Sequence, residues 1–248
     1  MNGFEKHKIG HLSASSINLW VNAPDVWVAK YLHGHKQAFG PAPRRGQCVE
    51  TAVHMALTGA PLEKALKAAH DAFDRTFMFG DEKTAKERDM IAPMAEIAIA
   101  ELEQFGIPDA GGDEQHKISI TAKGDGWEIP VIGFLDFTFP QHGLIVDLKT
   151  AARIPSVMSP DHQLQRAIYA KAMGNYSVQF LYISAKKASW LEDGDVNETL
   201  ARAKAHITRL ERFLSMHTAD EALACVPVCD TSFYWRGDES ARREMFGV

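Results

Sequence analysis

The sequence predicts an α/β protein with a mixed sheet and a helical N-terminal portion. Helical periodicities fill the chain to about residue 110, and from about residue 115 three short stretches alternate or run apolar. A helical segment then leads into one more apolar strand and a long last helix. Helices, three strands, helix, strand, helix is the order expected of one α/β domain over 1–248, not of two independent domains. Its helical portion spans about 12–110, its core about 115–185, and its C-terminal helix and tail about 195–248.

In "HLSASSINLWVNAPDVWVAKYL" the apolar residues Ile17, Trp20, Val21, Trp27, Val28 and Tyr31 fall at helical spacing, interrupted near Pro24, with Ser13 as N-cap. "PRRGQCVETAVHMALTG" reads as a helix from near Gly46 to Gly59, and 61–79 and 82–105 as two amphipathic helices, the first opened by Pro61. "HKISITAK", "WEIPVIGFLDFTF" and "LIVDLKT" read as a three-strand meander with turns at Gly124–Gly126 and Gln141–Gly143. A helix over 160–174, a strand over 177–184 and a helix over about 195–217 follow. The tail from Cys225 has no clear period and reads as irregular structure packed by its aromatics.

With 46% apolar and 24% charged residues, the 248-residue chain is not of the disordered class. The net charge of −5 neither advertises nor excludes a polyanion partner, because phosphate contacts need only a local basic stripe. No stretch approaches the roughly 18–20 uninterrupted apolar residues of a membrane span, and the first residues lack the apolar core of a secretory signal. Cys48, Cys225 and Cys229 are too few and too scattered for a disulfide framework. A reduced, cytoplasmic protein with no membrane partner is expected.

Two of the strand segments carry charges among apolar neighbours. In "GLIVDLKT", Asp147 and Lys149 lie two apart and project from one face, leaving Val146 and Leu148 to the core. Asp136 lies in the preceding segment, and pairing through the turn at 140–143 brings the two aspartates together. Carboxylates that close repel and raise a pKa unless a cation lies between them. A hard divalent cation such as Mg²⁺ or Mn²⁺ is the economical answer, since Mg²⁺ retains waters and needs only two or three protein oxygens. Beside carboxylates the Lys149 ammonium stays charged, so its expected task is to hold the attacking water and offset charge on a phosphate. An Asp and a Lys on an exposed strand face is the plainer alternative for "D-x-K" taken alone.

"GFLDF", then "IVDLKT", then "QRAIY" resemble the PD-(D/E)XK nuclease superfamily in its RecB-like branch, where the helix after the D-x-K strand carries a Q-x-x-x-Y pattern. Gln165 and Tyr169 match it, one helical turn apart on one face and aimed at the same cleft, and the resemblance implies that they contact the nucleic acid. "LSASSINLWVNAPDVWVAKYL" is similar to that branch's opening helix, and the resemblance covers about residues 12–185. It implies a restriction-endonuclease-like core in which Asp136, Asp147 and the carbonyl of Leu148 bind the metal and Lys149 is the catalytic lysine. Glu50, four residues after Gly46, departs from the branch's usual His and is similar to the Glu of lambda-exonuclease-like relatives, which contributes to the metal site. A solvated helix carboxylate is the alternative at Glu50, and His54 reads as a packed residue with one hydrogen bond.

Some relatives hold a 4Fe–4S cluster on four cysteines. Ala23 stands before Pro24 and the whole chain has three cysteines, so no iron–sulfur cluster is expected, nor a zinc site from "CVPVC". Arg44 and Arg45 precede the Gly46 helix, and Arg45 is the foremost expected phosphate contact. Arg153, Arg166, Lys186 and Lys187 read as solvated charges. Trp20, Trp27 and Tyr31 read as core, with a stacking platform for single-stranded bases as the alternative.

The resemblance implies a Mg²⁺- or Mn²⁺-dependent deoxyribonuclease, an exonuclease of recombination or repair acting on DNA. No G-x-x-x-x-G-K-S/T motif is present, so unwinding would fall to a partner such as a helicase; a single-strand-annealing protein is the other candidate partner. A catalytically silent DNA-binding or scaffolding module of the same fold is the alternative. A third is a metal-dependent hydrolase acting on something other than nucleic acid.

Overall fold

The computed structural model describes residues 1–36, 39–78, 80–109, 116–120, 127–230 and 232–247. The turn expected at Gly124–Gly126 lies outside the described residues. A short helix α1 (Gly3–Lys6), which the sequence reading did not foresee, precedes a two-residue strand β1 (Leu12–Ser13). Ser13 then caps α2 (Ala14–Asn22): its hydroxyl accepts the Ser16 N–H at 3.2 Å, and the Ser16 hydroxyl accepts the Ser13 N–H at 2.8 Å. Pro24 opens α3 (Pro24–Leu32) at the first helical position, where its missing N–H costs nothing.

Helix α4 (Pro41–Leu57) starts five residues before Gly46. Pro41 and Pro43 sit in its first turn, and Gly46 is an interior position pressed on the sheet. A Cβ there would lie 3.2 Å from Oγ1 of Thr150, so the glycine lets the helix approach the strand. After α5 (Leu62–Thr76), the helix expected over 82–105 is two, α6 (Glu82–Asp89) and α7 (Ile91–Leu102). Pro93 is the physical reason, since it has no N–H for the Asp89 carbonyl four residues back and its ring crowds that group.

The strands are β2 (His116–Ile120), β3 (Val131–Leu135), β4 (Phe137–Phe139), β5 (Leu144–Thr150), β6 (Ser177–Ile183) and β7 (Ala188–Leu191). They form two sheets, in the orders β1–β3–β2 and β4–β5–β6–β7. The expected meander therefore divides. The segment "VIGFLDFTF" breaks at Asp136, and β3 pairs with β2 in one sheet while β4 pairs with β5 in the other. The turn expected at Gln141–Gly143 is present as a 3₁₀ turn closed by Gly143 in the left-handed region (φ +55°), which glycine adopts without a steric penalty. Helix α8 (Pro160–Met173) crosses over from β5 to the parallel β6, and β7 adds an antiparallel edge.

Alternation along β5 and β6 serves two cores. Ile145, Val178, Phe180 and Tyr182 face α2, α3, α8 and the long helix α9 (Val196–Met216). Leu144, Val146, Leu148, Leu181 and Ile183 face α4, α5 and α7. The four-stranded sheet is thus covered on both faces, the arrangement a parallel pair such as β5–β6 requires. The short helix α10 (Ala219–Cys225) precedes the tail, and within the tail α11 (Glu239–Phe246) replaces part of the irregular structure expected, while Trp235 does pack, at 1% exposure, against His35 and Phe246. Among the described residues no helix is long and apolar enough to cross a membrane.

Candidate functional site

Asp136 is the residue at which the chain leaves one sheet for the other. Pairing of β4 with β5 begins at Phe137 opposite Val146, so one step earlier Asp136 stands level with Asp147. The backbone ladder ends there, and the Asp136 carboxylate replaces it: Oδ2 accepts the Leu148 N–H at 2.9 Å. Within a strand a residue's N–H and C=O point to the same side, so the Leu148 carbonyl is directed toward the same edge.

Asp147 has no exposed surface, and Asp136 is 9% exposed. Lys149, two residues on and on the same side of β5, forms an ion pair with Oδ1 of Asp147 and lies 5.3 Å from the centre of the Phe180 ring. Oδ2 of Asp147 accepts from Gln165 Nε2 at 2.7 Å. The other Gln165 amide hydrogen goes to the Tyr169 hydroxyl at 2.7 Å, which in turn donates to the Phe134 carbonyl at 2.5 Å. The i, i+4 pair on α8 therefore ties β5 to β3 across the break at Asp136. Gly133 makes room for this link, since a Cβ there would come within 2.6 Å of the Tyr169 ring.

Burial raises the Asp136 pKa well above the ordinary 3.8, and the charges of Asp147 and Glu50 push it further the same way. Burial alone would pull Lys149 down, but Asp147 and Asp136 outweigh it and the ammonium is held above its usual range. Tyr169 is kept protonated by burial and by the Asp147 and Asp136 charges, as its role as a donor requires. The charge of Glu50 on α4 is felt by Asp136, Lys149 and Tyr169 alike, in each case less than burial and the aspartates. Asp136, Asp147, Lys149, Gln165 and Tyr169 are thus gathered in one place, with Glu50 acting on them through its charge.

Arg44 and Arg45 are not part of that gathering. Arg45 is 4% exposed, ion-paired with Glu87 of α6, and donates to the Thr150 carbonyl at 3.2 Å. Arg44 donates to Gln47 and to the Ala72 carbonyl, both at 3.0 Å. The foremost expected phosphate contact is instead an internal brace between α4, α6 and the end of β5. Trp27 is fully buried and meets Trp20 edge-on and Tyr31 at a tilt, and both partners are partly buried residues packed against the core.

The donor set suits a hard divalent cation. Asp136, Asp147 and Glu50 supply carboxylate oxygens of the kind such an ion takes, and the buried Oδ1 of Asp147 has the Lys149 ammonium as its ion-pair partner. Among the described residues no group of three or more His, Cys, Asp or Glu side chains lies close enough to hold a metal ion, and Lys149 is the cation beside Asp147. Beside them opens a cleft of about 640 Å³, lined by Asp136, Gln165, Tyr169, Phe134, Ser13 and His162 among others. His162, unremarked in the sequence reading, bonds through Nδ1 to the Tyr182 hydroxyl at 2.5 Å; burial and the Lys149 charge lower its pKa.

In comparisons with known proteins, no family model matches the chain and no curated protein matches it.

Proposed function

We propose that the protein is a Mg²⁺- or Mn²⁺-dependent deoxyribonuclease with a restriction-endonuclease-like core of the PD-(D/E)XK, RecB-like kind, acting as an exonuclease on DNA in recombination or repair. One observation carries this reading: two aspartates from neighbouring strands and a lysine two residues on meet at one point, tied there by Gln165 and Tyr169 of the following helix. Asp136, Asp147, Glu50 and the Leu148 carbonyl would hold the ion. When bound, it would lower the pKa of a water and neutralise charge on the scissile phosphate.

The chain's own residues do the rest. Lys149, held as an ammonium, is unsuited to be a general base and suited to bind a phosphate oxygen and the attacking water. Gln165 fixes one oxygen of Asp147 and leaves the other facing the lysine. Tyr169 keeps β3, and with it Asp136, at a fixed place relative to α8. A helicase or a single-strand-annealing protein would be the working partner.

Linear and circular DNA, single- and double-stranded, incubated with Mg²⁺, Mn²⁺ or Ca²⁺ test the proposal. Hydrolysis of linear DNA is expected with the first two ions and not with Ca²⁺ or chelator. Asp147→Ala should reduce it by about 10²–10³-fold or more with DNA binding retained. Circular DNA cut as readily as linear would remove the exonuclease label. Both forms left intact in Mn²⁺ would favour the silent scaffold.

A further inference from the structure

We propose that Phe134 is a stacking platform for an unpaired nucleobase of the DNA strand in the cleft, making a single-stranded or frayed end the substrate this site accepts; the inference rests on the nuclease reading above. From Val131 to Phe139 every residue is buried except Phe134, which is 46% exposed. The alternation of β3 explains how. Val131, Gly133 and Leu135 face the core and α8, which leaves Phe134 on the other side of the strand.

Single exposed apolar residues are ordinary on protein surfaces. Phe134 differs in two respects. It lines the same cleft as Asp136, Gln165 and Tyr169, and more of it is open to solvent than of any neighbour on its strand. Its backbone is also fixed, because its carbonyl accepts the Tyr169 hydroxyl at 2.5 Å and Tyr169 is held in turn by Gln165. Gln165, which positions Asp147, and Tyr169, which Gln165 holds, therefore fix the backbone of an aromatic residue two positions from Asp136, on the order of 7 Å along the strand. One nucleotide can span from the carboxylates to that ring.

An unpaired base is the ligand that fits. An aromatic ring stacks on any base, but a base inside a duplex already has both faces covered by its neighbours. A terminal or unpaired base offers a free face, and stacking takes the exposed ring out of water. Discrimination would then fall on strand state rather than on sequence, because every base has a π-face.

The test compares wild type, Phe134→Ala and Phe134→Trp, binding a short single-stranded oligonucleotide in chelator, by fluorescence anisotropy. A second oligonucleotide carries 2-aminopurine at its end, and a blunt duplex is the control. Phe134→Ala should bind the single strand roughly tenfold more weakly and the blunt duplex unchanged, with Phe134→Trp restoring affinity. The 2-aminopurine fluorescence should be quenched on binding wild type and not on binding Phe134→Ala. Equal affinity and equal quenching in wild type and Phe134→Ala would overturn the proposal, as would no binding of the single strand by wild type. Cleavage in Mn²⁺ separates the two readings. DNA bound through Phe134 yet never cut leaves the platform standing and removes the nuclease; DNA cut with Phe134→Ala indistinguishable from wild type does the reverse.

Discussion

Asp25 on α3 and Asp147 on β5 are both aspartates with no exposed surface, yet their surroundings differ in kind. Oδ2 of Asp25 accepts the Trp235 indole N–H at 2.8 Å and the Cys229 N–H at 3.2 Å, both uncharged donors from the C-terminal tail. Asp147 is set near Asp136, Glu50 and Lys149: burial, then the charges of Asp147 and Glu50, raise Asp136, while the charges of Asp147 and Asp136 raise Lys149 against its burial. Burial of a carboxylate is therefore not what marks a site. Asp25 fastens the tail to the opening helices, and its burial is a packing arrangement. The Asp147 cluster keeps like charges together, which a structural role does not require.

The largest expected effect breaks the comparison at the Asp147 cluster. Asp147→Ala should abolish DNA cleavage, while Asp25→Ala should leave cleavage by the folded protein unchanged. Stability should respond at Asp25 instead. Removing that carboxylate orphans two N–H donors, one of them the Trp235 indole at 1% exposure, and should cost about 2 kcal/mol in urea unfolding. Limited proteolysis should then cut between Cys229 and Trp235 before the rest of the chain. Equal stability of Asp25→Ala and wild type would show that the tail is held by its apolar contacts alone.

A smaller effect of opposite sign is expected at Asp136. Asp136→Asn keeps an oxygen for the Leu148 N–H and removes a carboxyl whose ionisation burial and the charges of Asp147 and Glu50 oppose. Burial, Asp147 and Glu50 raise this carboxyl, so the folded protein holds the proton more tightly than the unfolded chain. The stabilising contribution of the protonated form is complete below the unfolded value near 3.8 and is lost as pH rises toward the folded value. At neutral pH and without metal, Asp136→Asn should therefore be more stable than wild type by about 1 kcal/mol, with the difference shrinking as pH falls toward 4. Thermal unfolding of both proteins across pH 4–8 in chelator checks the sign, and a deficit at pH 7 would refute it.

Much of the core was legible because its signals are local. "GLIVDLKT" carries its own alternation, and Pro160–Met173, Ser177–Ile183 and Val196–Met216 fall within a residue or two of their expected limits. The pairing of Asp136 with Asp147 followed from one strand and one short turn. What escaped depends on partners distant in the chain. "VIGFLDFTF" has no break in its pattern at Asp136, because each half is buried in a different sheet. Strand β7 is four half-buried residues on a sheet edge, without clean alternation. Nothing beside Arg45 announces Glu87, which lies 42 positions away, and nothing beside Asp25 announces Trp235, 210 positions away. A charge next to a helix start reads as available for a ligand until the fold supplies its neighbour.

The smallest expected effect sharpens the distinction between holding a site and acting in it. Tyr169→Phe removes a single hydroxyl that donates to the Phe134 carbonyl and receives from Gln165, while the ring stays against Gly133. About 1 kcal/mol of stability should be lost, the usual net worth of one hydrogen bond. The consequence for catalysis runs through placement. Gln165 keeps its bond to Asp147, but β3 is released from α8 just before Asp136, so kcat should fall by a few fold, far less than the loss in Asp147→Ala. If Tyr169→Phe matched Asp147→Ala in severity, the hydroxyl would have to touch the reacting phosphate itself, and Tyr169 would move from a positioning residue to a catalytic one.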